Sequence, residues 1–376
     1  MNYIIKHKNT PVLKFELIEN TANPAVHIIW TADNISLLPI DLSDGDEGLS
    51  RWLRGRTIPK NRAFVNNFLS KCGLSVNRPM DIISVSKGLS LNDVYWVVEE
   101  DFDGSFEKYN LYENNFSNIL ALIAFTGYGS SLRSSLVSSP EFTTAGMLPK
   151  CWRRISGKVY LYKGGTSGAS NTGFEPYSEF YASEIAKAMG VNAIEYRISK
   201  WKGVLCSSCE IFTDLNYSYV PIGKIVKTGG MQAVRKFYES LGPEFTDALN
   251  EMLIFDAVIC NTDRHFGNFG VLVDNETNQI VKPAPLFDHG NSLFNFAGIE
   301  DLESEEAFEA YISTLMPQAY DDFIADARSV MTEKNKEMLR RLLTYRLKKN
   351  PRYNLPEKRY RLIASQIKKR AAILLK

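Results

Sequence analysis

Short apolar runs alternate with polar turns through the first 125 residues, as in PVLKFELIE, AVHIIWTA and VYWVVEED. Apolar runs of that length, bounded by turns, predict strands. RAFVNNFLSKCGL has the apolar spacing of a short helix stopped by Gly73, and DLSDGDEGLS reads as a solvated loop. Residues 1–125 are therefore expected to form a mixed strand-and-helix module. From Gly127 to Pro140 the text changes to GYGSSLRSSLVSSP, the composition of a linker, and residues 126–140 are assigned to one.

Beyond it, KVYLYKGG reads as a strand stopping at glycines, and SEFYASEIAKAMGV as an amphipathic helix closed by Gly190. AIEYRISKW and GVLCSSCEIF are two further strand candidates. TDALNEMLIFDAVIC is a long apolar helix, and from Glu303 onward the pattern is helical almost throughout. A β-rich lobe over residues 141–212 followed by a helical lobe over 213–376 is the expected organisation. No repeat of 20 to 50 residues is visible.

The densest chemistry follows the long apolar helix. Asn261, Asp263, Arg264, His265 and Asn268 lie close together in NTDRHFGN, where purposeless polar groups would be expensive. Further on, the apolar run PAPLF delivers Asp288, His289 and Gly290 as acid–X–Gly at the end of a strand. Phosphoryl transfer needs such an inventory: a carboxylate to take the proton of the attacking hydroxyl, and oxygen ligands for magnesium. Asp263 suits the first role, Asn268 and Asp288 the second. The spacing resembles the D-x-x-x-x-N loop and D-F-G of protein kinases. Lys163, ending KVYLYK, is the candidate cation for the α- and β-phosphates. Glu179 or Glu184 on the next helix is placed to pair with it. His265 and His289 are read as neutral histidines bracing the loop rather than as zinc ligands.

Composition adjusts this picture in three places. The 376 residues are 44% hydrophobic, 23% charged and 12% aromatic, which predicts a packed core and, by length, two or three domains. A net charge of +1 excludes a bulk polycation, but it is a cancellation: residues 333–376 carry 15 basic and 3 acidic side chains. That basic C-terminal helix is either a solvated face of the lobe or the one place to bind an acidic partner or nucleic acid. The start, MNYIIKHKNTPVLKF, lacks the apolar core of a signal peptide, and no stretch is apolar enough to span a membrane, so a cytoplasmic protein without a membrane partner is expected. The five cysteines are sparse; Cys206 and Cys209, in CSSC, have no second ligand pair and read as small residues of a buried strand.

The order of TTAGMLPK, VYLYK, SEFYASEIAKAMGV, CEIF, FDAVICNTDRHFGNFGVLV and APLFDHG resembles the HipA family of bacterial serine/threonine kinases. The resemblance covers roughly residues 140–295 well, the C-terminal helices loosely, and residues 1–125 not at all. It implies an α+β, bilobal protein-kinase-like fold with an additional N-terminal module, and an ATP- and Mg2+-dependent kinase acting on Ser/Thr hydroxyls. Asp263 would be the catalytic aspartate, Asn268 and Asp288 the magnesium ligands, and Lys163 the phosphate-binding lysine, with Glu179 preferred as its partner. Glu210 to Phe212 would be the hinge for adenine. Thr143, Thr144 and Gly146 would belong to the phosphate loop, with His265 also near the nucleotide. Thr143 and Thr144 stand where the family carries an autophosphorylated serine. Met147 and Leu148 depart from the family's small residue and glutamine. The family further implies a small DNA-binding antitoxin partner and a protein substrate. Two other readings remain open: a phosphoinositide-type lipid kinase, because DRHFGN also resembles the D-R-H-x-x-N loop of those enzymes, and a nucleotide-binding regulatory module without turnover.

Overall fold

The computed structural model describes residues 1–18, 25–132, 136–169 and 171–376. It divides into two compact units: Met1–Lys163 with Ile211–Val220 and Leu272–Val281, and Gly164–Glu210 with Pro221–Val271 and Lys282–Lys376.

In the first unit, Asn2–His7 pairs antiparallel with both Thr10–Ile18 and Tyr95–Glu99, and Ala25–Thr31 closes the far edge of this four-stranded sheet. Strand Asn2–His7 buries every second residue, as one core-facing side requires. Its Tyr3 and Ile5, with Val12, Leu13 and Phe15 of the adjoining strand, form one cluster with Leu49, Trp52 and Leu53. Those three lie on helix Gly45–Arg54, so the second half of DLSDGDEGLS is a helix start and not the expected solvated loop. Asp46 and Glu47 occupy the first turn, where carboxylates suit the positive end of the helix dipole. Helix Val65–Lys71 forms as expected, followed by Gly73 at φ +72°.

The serine-rich segment is bound to this unit. Leu132 N–H and Ser131 Oγ donate to the Lys71 carbonyl, and Ser138 Oγ donates to that of Ser86. Leu132 and Leu136 pack against the cluster around Phe68, Ile82 and Phe142, which gives the segment an apolar reason to stay. Residues 133–135 of the expected linker lie outside the described residues. The hairpin Lys150–Ile155 with Lys158–Gly164 follows; its Val159 and Trp152 share a core with Trp96, Phe106 and Leu111. That common core places the hairpin in one unit with residues 1–125, whereas the sequence pattern suggested a division at 126–140.

In the second unit, helix Glu175–Met189 ends at Gly190, whose φ of +86° is the left-handed cap that glycine adopts most readily. Strands Tyr196–Trp201 and Val204–Glu210 pair antiparallel, with CSSC inside the second and Cys206 buried. Helix Pro243–Ile259 is buried along nearly its whole last half, from Met252 to Ile259. Helices Glu305–Ser313, Phe323–Ser329, Glu333–Thr344 and Glu357–Leu375 complete the unit. PAPLF is not a regular strand: Leu286 forms only an isolated parallel bridge with Ala193. Pro283 and Pro285 lack the N–H groups that a ladder needs. Among the described residues no helix is long and apolar enough to cross a membrane.

Candidate active site

The second unit gathers Glu179, Asp263, His265, Asn268 and Asp288 around one buried guanidinium. Arg264 and Asp256 are both fully excluded from solvent. Arg264 Nε donates to Asp256 Oδ2 at 2.8 Å and Nη2 to Oδ1 at 3.0 Å. Nη1 reaches two carbonyls, Asn268 and Phe287, each at 2.8 Å. Nη2 also lies 3.2 Å from His289 Nδ1. All five donors of the guanidinium are thus engaged. Because arginine only donates, His289 Nδ1 is the acceptor in this contact.

This arrangement fixes two loops at once. One carbonyl belongs to Asn268 itself, and the other to the residue before Asp288. Further bonds join the same two segments: Thr262 N–H to Asn291 O at 3.1 Å and Leu293 N–H to Ile259 O at 2.7 Å. His289 N–H donates to Glu179 Oε2 at 2.8 Å, tying the acid–X–Gly loop to helix Glu175–Met189. Ser178, the preceding residue on that helix, donates through Oγ to Ser292 O at 2.9 Å.

Asp263 is half-buried, and Asn291 Nδ2 donates to its Oδ2 at 3.0 Å. Its backbone N–H donates to Asn261 Oδ1 at 3.2 Å, and Asn261 Nδ2 donates in turn to Asp256 Oδ1 at 3.2 Å. Asn268 Nδ2 donates to the Asp263 carbonyl at 3.1 Å, so of its amide atoms the oxygen is the one that could hold a cation. Asp288 is half-buried with a left-handed backbone, φ +56°, and its N–H donates to the Tyr196 hydroxyl at 3.1 Å. Non-glycine residues in that conformation are uncommon and collect at functional sites. His265 is exposed and its Nδ1 accepts from Gly267 N–H at 2.9 Å, so the ring braces its own turn. Glu184 lies one turn beyond Glu179; Glu179 is fully buried and Glu184 is not.

No family model matches the chain, and no curated protein matches it either. Among solved structures, HipA of Shewanella oneidensis MR-1, determined with HipB and operator DNA, is similar at a TM-score of 0.57 and 12% identity over 98% of this chain and 96% of that one. The fold is HipA-like. The Helicobacter pylori proinflammatory kinase CtkA is similar at a TM-score of 0.48 and 16% identity, over 62% of this chain and 92% of its own. The resemblance to HipA read from the motifs therefore holds for the fold, and it extends over residues 1–125, where the sequence displayed none of it.

The remaining expected residues lie in or next to the first unit. Lys163 is buried on its strand, with Lys150 as its cross-strand partner. Thr143 is buried and its hydroxyl donates to Leu89 O at 2.8 Å. Thr144 Oγ1 donates to Pro140 O at 2.6 Å and accepts from Trp152 Nε1 at 2.8 Å. Gly146 is exposed at the loop tip, at φ +89°. Glu210 is exposed at the end of its strand, where the chain leaves the second unit, and the Phe212 ring meets Tyr219 edge-on with centroids 5.5 Å apart.

Sequence reasoning missed Asp256, Tyr196 and Asn291. The first two sit in a helix and a strand that read as apolar. Asn291 directly follows FDHG, and its position was the one signal that it belonged to the site.

Proposed function

We propose that this protein is an ATP- and magnesium-dependent kinase that transfers the γ-phosphate to Ser or Thr hydroxyls. The observation that carries the reading is the single guanidinium of Arg264, bonded both to the Asn268 carbonyl and to the carbonyl before Asp288. A buried ion pair is a poor device for stability alone, and a good one for holding two loops in register. What it holds in register here are two oxygen-bearing side chains beside a carboxylate.

In this reading Asp263 accepts the proton of the attacking hydroxyl, with Asn291 orienting the carboxylate. Asn268 and Asp288 would hold magnesium, which supplies charge neutralisation between the phosphates. Among the described residues no three His, Cys, Asp or Glu side chains form a metal site by themselves. That donor set suits magnesium, which keeps waters and takes phosphate oxygens, rather than zinc. Lys163 would bind the α- and β-phosphates with Glu179 as its partner, the loop with Thr143, Thr144 and Gly146 would cover them, and Glu210 to Phe212 would hold adenine. The HipA neighbour was determined with HipB and operator DNA. A small DNA-binding protein, the antitoxin of a toxin–antitoxin pair, is the corresponding partner proposed here, and autophosphorylation at Thr143 or Thr144 the corresponding regulation.

The test is transfer of radiolabelled phosphate from ATP to the protein itself or to a general acceptor. Asp263→Ala and Asp288→Ala should each abolish it, and full activity in both variants would sink the assignment. Labelling of phosphoinositide vesicles in place of protein would redirect it to lipid.

A further inference from the structure

The loop carrying Thr143, Thr144 and Gly146 is held at its base by residues of the N-terminal module. Arg62 is 3% exposed, and its guanidinium binds both ends of the loop: Nη1 donates to Thr144 O at 3.1 Å and Nη2 to Lys150 O at 2.6 Å. The next residue, Ala63, donates its N–H to Met147 O at 2.8 Å. Leu89 accepts from the Thr143 hydroxyl. Opposite these contacts, the fully buried Glu141 accepts from Trp152 N–H at 2.9 Å and from Ser139 Oγ, which pins the strand after the loop to the turn before it. The base of the loop is thus buried, whereas Ala145, Gly146 and Met147 are exposed.

A buried guanidinium is expensive. Burial pushes Arg62 down to about 10, with Glu141 opposing that shift, so the group is still charged at neutral pH. Among the described residues its Nε has no hydrogen-bond partner. An apolar side chain of similar volume would fill the space without that cost. The property that only arginine supplies is the planar fork, which reaches two carbonyls on either side of a loop simultaneously. Gly146 adds a backbone constraint from inside, at φ +89°, a conformation that glycine adopts most readily.

We propose that Arg62 is a positioning residue for nucleotide binding, holding the 143–149 loop in the shape that presents its backbone to phosphate. Residues 1–125 are then a working part of the nucleotide site. This rests on the kinase reading, in which that loop covers the phosphates.

Hydrogen exchange of the loop amides and ATP binding, measured in parallel on the full chain, test it. In Arg62→Met, which preserves packing, amides 144–148 should exchange about tenfold faster, and ATP should bind about tenfold more weakly, the loss of one or two hydrogen bonds to a charged donor. Transfer at saturating ATP should change far less than the KM for ATP, and Arg62→Lys should restore part of the affinity. Unchanged loop exchange in a folded variant overturns the proposal, and so does faster exchange with unaltered ATP affinity. If Arg62→Met does not fold, Thr143→Val, which removes the hydroxyl's bonds to Leu89 O and Pro140 O at the same loop base, carries the same test. Failure of the wild-type protein to bind ATP overturns the kinase reading and the positioning role together, while the exchange data still report whether Arg62 holds the loop.

Discussion

Arg264 and Asp256 form a bidentate ion pair sealed from solvent, and the same guanidinium bonds the carbonyls that precede or belong to the two proposed metal ligands. Burial works against the charge on Arg264, but the adjacent Asp256 carboxylate outweighs it and holds the guanidinium above its ordinary value. Asp256→Asn would leave a buried cation without its counter-charge, and should destabilise the protein by about 3–5 kcal/mol. Arg264→Lys keeps the charge but replaces a five-donor fork with one ammonium. It should lower the urea midpoint less than Asp256→Asn does while abolishing most phosphate transfer. Equal effects on stability and transfer would reduce the pair to a simple core contact.

Asn291 should matter to rate rather than to binding. Its amide donates to Asp263 Oδ2 at 3.0 Å, so Asn291→Ala removes one of the bonds that orient the carboxylate. A drop of about tenfold in kcat with an unchanged KM for ATP is expected, since orientation of a general base acts on the transition state. Steady-state kinetics at varied ATP separate the two constants.

How far the sequence reveals this site depends on whether a residue's role is local. Asp263, Asn268 and Asp288 stand in two short motifs whose polar density after apolar runs is anomalous, so they are legible. Asp256 is hidden in an apolar helix, and Arg62 lies far from the loop it holds, because their roles exist only once the chain is folded. Helix Gly45–Arg54 escaped because its acidic first turn has the composition of a loop, although Leu49, Trp52 and Leu53 already lie at helical spacing. PAPLF looked like a strand because its residues are apolar, yet its prolines withhold ladder donors.

Asp288 sits at φ +56°, a conformation that costs an ordinary L-residue about 1–2 kcal/mol. Asp288→Gly removes that strain and adds unfolded-state freedom, whereas Asp288→Ala retains it without the polar side chain. The glycine variant should be more stable than the alanine variant by about 1 kcal/mol, and neither should transfer phosphate. Thermal unfolding of the two, side by side, checks the order.

His7 gives the first unit a defined acid sensitivity. It is buried against Tyr95, with ring centroids 5.0 Å apart, and burial first and then the neighbouring Lys8 lower its pKa, against weaker opposing effects of Asp93 and Glu276. A histidine whose folded value lies below its unfolded 6.5 contributes stability that is complete above pH 6.5 and lost as pH falls through the folded value. Urea unfolding at pH 7.5 and at pH 5 should therefore show a larger loss for wild type than for His7→Gln. An identical loss in both would remove His7 as the cause.

The basic C-terminus is where the structure changes the expectation most. Helix Glu357–Leu375 buries Ile363, Ile367, Ala371 and Leu374, and two of its arginines point inward with them. Arg359 donates to the carbonyls of Phe294 and Ala297, just beyond the acid–X–Gly loop. Arg370 donates to the carbonyl of Ala257 inside helix Pro243–Ile259. Positive charge at these two positions therefore serves backbone carbonyls of the proposed catalytic segment. Each of Arg359→Ala and Arg370→Ala leaves buried acceptors unpaired and should cost about 1–3 kcal/mol. Removal of the whole helix should impair folding and ATP binding together. Lys358, Arg361, Lys368 and Lys369 are exposed, although Arg361 pairs with Glu357, Lys369 with Glu309 and Lys358 with the Glu303 carbonyl, so an acidic partner would compete with those bonds. Charge reversal at those four, with unaltered thermal stability and unaltered ATP affinity, separates a binding face from the core that the rest of the helix builds.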